Sequence, residues 1–234
     1  MPNARVLAWG YNANAIALKD KSTSSNRILQ HAQTLVAQLA ADREALAYAE
    51  SHKSYNLAHI YRIFTSTYGL IFFGTPHNGA SKAHLLSFLE KMTALTVPKR
   101  FLQTDSALVR ALREDSETLQ NITDQFVPIM GRFRMMFLWE QERTDLKYTR
   151  EYIVEETSAA PMLSGDIERS GIASDHQGMC KFVNKEDQGF RVVIAVLKRY
   201  MSDSPTAIET RHQKAEQSTK QSRFEEASEL IRGL

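Results

Sequence analysis

Three side chains late in the chain have types and spacing suited to proton transfer. Glu155 and Glu156 close an apolar stretch, and His176 lies 20 residues after Glu156, in a polar segment before the last apolar helix. In a catalytic triad the histidine takes the proton of a nucleophile, and the acid holds the imidazole in the required tautomer. Acids often end strands and most histidines are structural, so this pair alone is a weak signal. It predicts catalysis only in the company of a nucleophile.

A second candidate lies in the stretch Tyr68–Gly79, where five apolar residues lead into Gly-Thr-Pro-His-Asn-Gly. The apolar run predicts a strand buried on both faces, as in the interior of a parallel sheet. Ligand sites in such sheets lie at the carboxyl ends of strands, which would place His77 near a site. The alternative is a tight turn made by Pro76 and Gly79, with His77 capping the next helix. We assign His77 to the turn and not to catalysis.

The elements that must position these residues follow from hydrophobic periodicity. The predicted strands are Arg5–Tyr11, Tyr68–Phe73, Phe133–Glu140 and Tyr152–Glu156. The predicted helices run from Asn26 to about Ser51 and then over Ser81–Leu95, Ser106–Phe126 and Gln188–Met201. A helical stretch or turn is predicted over Leu57–Phe64, and an irregular loop covers Thr157–Ser174. This alternation of strands and helices predicts an α/β fold with a parallel sheet and helices on both faces.

Composition limits the classes of function. The 234 residues contain 43% hydrophobic residues and carry a net charge of +2, which predicts a packed domain over residues 1–201 and gives no reason to expect a nucleic-acid partner. Residues 202–234 are polar and predict a linker or an exposed helical tail. The single cysteine, Cys180, favours an intracellular protein and lies in an apolar setting that predicts a structural role. We expect no targeting segment and no transmembrane span. The sequence shows no metal-ligand spacing and no phosphate-binding loop, so no cofactor is expected.

Five segments together carry a family resemblance. They are Ala4–Ala13, Tyr68–Gly79, Phe137–Glu140, Ile153–Ala159 and Ser174–Phe182. The chain resembles the lipase-like serine hydrolases of the "serine active site containing" type, which are common in filamentous fungi and often precede NACHT or repeat domains. The resemblance covers about residues 3–201. It implies an α/β-hydrolase fold, a lipid or acyl ester substrate, His176 as the catalytic histidine, and Glu155 as the acid with Glu156 as the alternative. In some members it also implies association with mitochondrial or endoplasmic-reticulum membranes.

The departures from that family bear directly on activity. The family's nucleophile elbow, a strand ending in Gly-His-Ser-Leu-Gly-Gly, belongs just before Ala45, but Arg43-Glu44-Ala45 crosses this place and the whole chain contains no Gly-x-Ser-x-Gly. The family's first core strand, which supplies an oxyanion-hole amide, would precede Met1. Ser164 and Ser170 each precede a glycine, but the pattern places both in a polar loop.

We therefore expect a truncated α/β-hydrolase-like sheet that lacks its first core strand and its nucleophile strand, and a catalytically inactive, lipase-derived domain. One alternative is an active hydrolase whose elbow is encoded by an omitted segment. Another is a non-enzymatic module of a larger NACHT or repeat signalling protein that acts through a protein partner.

Overall fold

A computed structural model describes residues 6, 44–51, 58–77, 87–88, 91, 124–146, 149–160 and 167–232. In chain order, the elements are α1 (Ala58–Ser66), β1 (Gly69–Phe73), β2 (Arg134–Glu140), β3 (Thr144–Asp145), β4 (Arg150–Glu151), α2 (Glu156–Ala159), β5 (Ile167–Ile172) and α3 (Gln188–Arg232). Residues 44–51 and 124–130 are also helical. The described part of the chain is therefore an α/β structure, as the sequence predicts.

Its main sheet has three parallel strands in the order β1-β2-β5. Gly69 pairs with Arg134 at the start of the β1–β2 ladder, and Glu140 pairs with Ile172 at the end of the β2–β5 ladder. The central strand β2 is mostly buried because its sequence, Arg-Met-Met-Phe-Leu-Trp-Glu, presents apolar side chains to both faces. The parallel sheet and the strand at Phe133–Glu140 are confirmed predictions.

Each face of β2 belongs to a different apolar core because side chains alternate along a strand. Met135 and Phe137 pack with residues of helices 44–51, α1 and 124–130, among them Leu46, Phe64 and Phe126. Met136 and Leu138 pack on the other face with Ile172, Met179 and Val196, the last from α3. Helices therefore contribute to the cores on both faces of the sheet.

A short antiparallel hairpin follows β2. Strands β3 and β4 pair Thr144 with Glu151 and Asp145 with Arg150, and Leu146 N donates to Thr149 O at 2.8 Å to close the turn. This hairpin corrects the predicted strand over Tyr152–Glu156. The backbone there leaves the ladder because two of its amides donate to a side chain of β2 instead of to a neighbouring strand.

The segment predicted as an irregular loop over Thr157–Ser174 contains the third strand of the sheet. β5 reads Ile-Glu-Arg-Ser-Gly-Ile and carries Ser170, so that serine lies on a strand and not in a polar loop. The strand forms because β2 offers it a full parallel ladder, which outweighs its weak intrinsic preference. β1 lies where predicted, but its five residues are only partly buried, not buried on both faces.

The C-terminal helix α3 extends over 45 residues, about 67 Å, well beyond the predicted end at Met201. Arg211 joins it to the start of the sheet by donating to Thr67 O at 2.7 Å and to Arg132 O. Beyond Gln213 the helix is mainly exposed, with Phe224 70% exposed. No helix in the described ranges is both long and apolar enough to cross a bilayer.

Several predicted elements fall largely outside the described residues: the strand Arg5–Tyr11 apart from Val6, the first helix before residue 44, the helix Ser81–Leu95 apart from residues 87, 88 and 91, and most of Ser106–Phe126. The helical stretch or turn predicted over Leu57–Phe64 is a helix, α1. The helix predicted to end at Phe126 continues through residue 130.

Candidate functional site

The carboxyl ends of the three parallel strands meet at one cluster of residues. Gly74 follows β1, Glu140 ends β2, and His176 lies in the turn after β5. Gly74 N donates to Leu138 O at 2.8 Å, which draws the end of β1 against β2. In open parallel sheets this edge is where ligands bind. The cluster is therefore the first place to look for chemistry.

Glu140 is a buried carboxylate with a full set of donors. The residue is 2% exposed. Its Oε1 accepts hydrogen bonds from Ile153 N and from Val154 N, the latter at 3.2 Å. Its Oε2 lies 2.6 Å from His176 Nδ1. A buried charge is costly unless it is paired and hydrogen-bonded, and these three contacts meet that condition.

The contact with Glu140 fixes the tautomer of His176. An ionised carboxylate only accepts hydrogen bonds, so the Nδ1 atom of His176 carries a proton. In the neutral ring the lone pair is then on Nε2, which makes Nε2 the basic atom. Only 7% of the His176 side chain is exposed. A buried acid that orients an imidazole in this way is the arrangement of the acid and base in a catalytic triad.

Gly74 makes room for the imidazole. Its φ of 51° lies in the left-handed region, which side chains rarely adopt. A Cβ atom at this position would also lie 3.0 Å from His176 Nδ1 and 2.9 Å from Met179 Sδ. Both the backbone conformation and the close approach therefore require glycine here.

The turn that carries His176 is held from several sides. Asp175 accepts hydrogen bonds from Gly178 N, at 2.8 Å to its side chain, and from Met179 N, at 3.0 Å to its backbone carbonyl. His176 N donates to Thr144 Oγ1 at 3.1 Å. Glu142 N donates to Ser174 O at 3.1 Å, which ties the turn to the segment after β2. The imidazole is thus placed by its backbone as well as by its ring.

For the predicted pair of a histidine and an acid, the structure gives the histidine a different carboxylate. It places His176 at the carboxyl edge, but the carboxylate at its Nδ1 is Glu140. Glu156 is exposed and lies 3.4 Å from Arg169 Nη2, while Glu155 is exposed at the N-terminus of α2 and makes no side-chain capping bond. The assignment of Glu155 or Glu156 as the acid stays a prediction that this geometry does not favour.

Glu140, the carboxylate at His176 Nδ1, is not predicted from the sequence, although it lies in a segment that carries the family resemblance. The sequence signal for Glu140 is its place at the end of a strongly apolar strand. A residue that continues such a strand tends to be buried with it. An acid in that position needs buried donors, and a histidine is a common one. The acid-then-histidine order and the family resemblance point to Glu155 and Glu156 instead.

The other candidates have structural surroundings. The His77 ring packs edge-on against Phe72 and Phe137, with centroids 4.5 and 4.6 Å away, and its backbone N donates to Ser158 O. This agrees with its assignment to the turn. Cys180 is an exposed residue, and its structural role stays a prediction. Partial desolvation nevertheless raises the pKa of its thiol, and Lys181 offsets this in part.

Two further observations complete the site. Among the described residues, no group of three or more histidine, cysteine or acidic side chains is arranged to hold a metal ion. Ser170 Oγ donates to Gly171 O at 3.2 Å within β5, and Ser164 lies outside the described residues. The described residues at the carboxyl edge thus supply an acid and a base.

Comparison with known proteins gives no relative for this chain: no family model, no curated protein and no solved structure matches it.

Proposed function

We propose that this chain carries the acid–base half of a serine ester hydrolase (lipase or esterase) site on an α/β-hydrolase-like sheet, with Glu140 as the acid and His176 as the base. The supporting observation is the 2.6 Å contact between Glu140 Oε2 and His176 Nδ1 at the carboxyl edge of parallel strands. The order of acid and then histidine along the chain is also that of α/β-hydrolases. The pair that Glu140 and His176 form is called the Glu–His pair below.

The Glu–His pair prepares proton transfer but does not supply a nucleophile. His176 Nε2 would accept the proton of an attacking hydroxyl, and Glu140 would stabilise the imidazolium that results. Without the Gly-x-Ser-x-Gly elbow, no serine is presented to form an acyl-enzyme, and the amide that follows such a serine in an oxyanion hole is missing as well. Removing one such donor commonly lowers the rate by about 10²–10³. We therefore propose a hydrolase-derived domain that does not turn over esters as its sequence stands.

An esterase assay tests the inactivity. With short-chain nitrophenyl esters, we expect the chain to hydrolyse no faster than its His176→Ala variant, because the histidine has no serine to activate. The matched control is a His77→Ala variant, which removes a histidine that packs edge-on against Phe72 and Phe137. Robust hydrolysis that His176→Ala abolishes and His77→Ala retains would refute the inactivity.

The Glu–His pair itself is tested by proton NMR. A histidine Nδ1–H group donated to a buried carboxylate is sheltered from exchange with water and gives a resonance far downfield. We expect such a resonance, assigned to His176 by nitrogen labelling, and we expect it to disappear in Glu140→Gln and to persist in Glu155→Gln and Glu156→Gln. Its loss in a Glu155 or Glu156 variant, with Glu140→Gln unaffected, would return the acid role to those residues.

A second candidate is an active hydrolase whose elbow is encoded by a segment omitted from this sequence. It is favoured by the completeness of the Glu–His pair: a carboxylate is buried and given three donors although no nucleophile motif is present. Sequencing transcripts across the codons for Arg43–Ala45 distinguishes the two candidates. A segment there that encodes Gly-x-Ser-x-Gly would support the active enzyme, and its uniform absence would support the inactive domain.

A further inference from the structure

Both members of the Glu–His pair are held by one short segment, Thr144–Val154, whose described residues are 144–146 and 149–154 and include strands β3 and β4. At its start, Thr144 Oγ1 accepts the hydrogen bond of His176 N at 3.1 Å. At its end, the backbone amides of Ile153 and Val154 donate to Glu140 Oε1. The segment therefore contacts the histidine through a side chain and the acid through two amides. This segment is called the clamp below.

The first contact of the clamp is buried. Thr144 is 1% exposed, one of the few polar residues in the described ranges that is buried to this degree. A buried hydroxyl is costly unless it is hydrogen-bonded, and a valine of nearly the same shape would fill the same space. The hydroxyl group of Thr144 is thus the feature that packing does not require. What it adds is an acceptor for the amide of the residue that carries the imidazole.

The second contact of the clamp explains why its chain leaves the ladder after β4. A backbone N–H group needs an acceptor, and Ile153 and Val154, 2% and 3% exposed, are both buried. Their amides converge on the same oxygen, Oε1, and leave Oε2 to His176. Each oxygen of the carboxylate consequently has its own partner. This fixes the rotation of the carboxylate about its own axis and aims Oε2 at the imidazole.

The clamp is joined to a neighbouring helix. Lys91, a helical residue, donates from Nζ to Tyr152 O at 2.8 Å and lies 3.7 Å from Glu151 Oε2. Thr144, at the start of the clamp, pairs with Glu151 across the hairpin. The residue that contacts His176 is thus linked to Lys91 through this strand pair.

We propose that the clamp is the positioning element of the Glu–His pair and that Thr144 is its positioning residue, which sets the imidazole of His176 through its backbone amide. This proposal rests on the proposed function, because positioning has a purpose only if the Glu–His pair is the functional pair. Thr144 acts on His176 N–H and does not contact a reacting atom, so it is not itself a catalytic residue. The proposal predicts that the Thr144 hydroxyl is needed for the ring geometry beyond its contribution to stability.

The test compares Thr144→Val, which keeps the shape and removes the acceptor, with Thr144→Ser, which keeps the acceptor. We expect the downfield Nδ1–H resonance of His176 to be lost in Thr144→Val and retained in Thr144→Ser. The matched control is Ile129→Val, a loss of one methyl group in the core on the opposite face of β2. Because Ile→Val in a core also lowers stability, this control separates general destabilisation from loss of positioning. We expect this control to retain the resonance.

A measurement on the unaltered protein does not depend on whether a variant folds. Amide hydrogen exchange of His176 is expected to be slow, because its N–H group donates to a buried oxygen. A resonance that persists in folded Thr144→Val, or a His176 amide that exchanges as fast as an exposed one, overturns the role of the clamp. If neither the unaltered protein nor Glu140→Gln shows the downfield resonance of His176, the proposed function is overturned instead.

Discussion

At the scale of the residue, Glu140 is held by several neighbours at once. Its carboxylate is withdrawn from water and has three donors, two from amides of the clamp and one from His176. Removing this carboxylate would leave each of its donors buried without that acceptor, at a cost of about 1–3 kcal/mol for each donor. The geometry of the site thus has a measurable consequence for stability.

Replacing Glu140 tests this consequence. Glu140→Ala is expected to lower the free energy of unfolding by about 3 kcal/mol, because the donors of the clamp and of His176 lose their common acceptor. Chemical denaturation measures the change. The matched control is Glu155→Ala, an exposed acid whose loss should change stability by no more than about 0.5 kcal/mol. Equal effects of the two substitutions would contradict the assignment of Glu140 as the buried acid.

At the scale of the element, apolar runs predict β1 and β2, whereas the run in Tyr152–Glu156 forms no strand and the polar strand β5 is not predicted. β1 and β2 are apolar and lie where their sequences predict. β5 contains a glutamate, an arginine and a serine, so no run marks it, and only the ladder along β2 explains its conformation. The same applies to the site: His176 is predicted from its spacing and from the family resemblance, whereas the contact with Glu140 depends on which strand lies at the centre of the sheet.

β1 and α3 approach each other closely at Gly69, where a side chain would meet Tyr200 of α3. A Cβ atom at Gly69 would lie 2.4 Å from two carbons of the Tyr200 ring and 3.2 Å from Arg134 O. Gly69→Ala is therefore expected to lower the free energy of unfolding by about 1–3 kcal/mol through overpacking. Gly131→Ala is the matched control, since its Cβ atom would meet nothing within 4 Å. A similar loss in both variants would show that the cost comes from the glycine backbone and not from Tyr200.

At the scale of the whole molecule, α3 joins regions that are distant in the sequence. Its first part packs on the face of the sheet formed by Met136 and Leu138, and Arg211 bonds carbonyls at the start of the sheet. Beyond Gln213 its residues are mainly exposed. The sequence predicts a linker or an exposed helical tail here but not its continuity with the buried helix, because the composition becomes polar beyond Ser202.

The dependence of stability on α3 should therefore end close to Arg211. Arg211→Met keeps the aliphatic stem and removes both donors, and is expected to lower the free energy of unfolding by about 1 kcal/mol. Truncation after Gln213 is expected to change it by no more than about 0.5 kcal/mol, because the residues removed are mainly exposed. Thermal and chemical denaturation measure both. A truncated protein that is less stable than Arg211→Met would assign a packing role to the exposed part of α3.

Glu140 and His176 come from parts of the chain that are far apart in the sequence, and this has a practical consequence. A single backbone cut between α2 and β5 would leave Glu140, Gly74 and the clamp on one fragment, and would leave His176 on the other with the strand that pairs with β2. Neither fragment alone would contain the pair. The two pieces would then form a split protein whose reassembly is reported by one hydrogen bond between residues 36 positions apart.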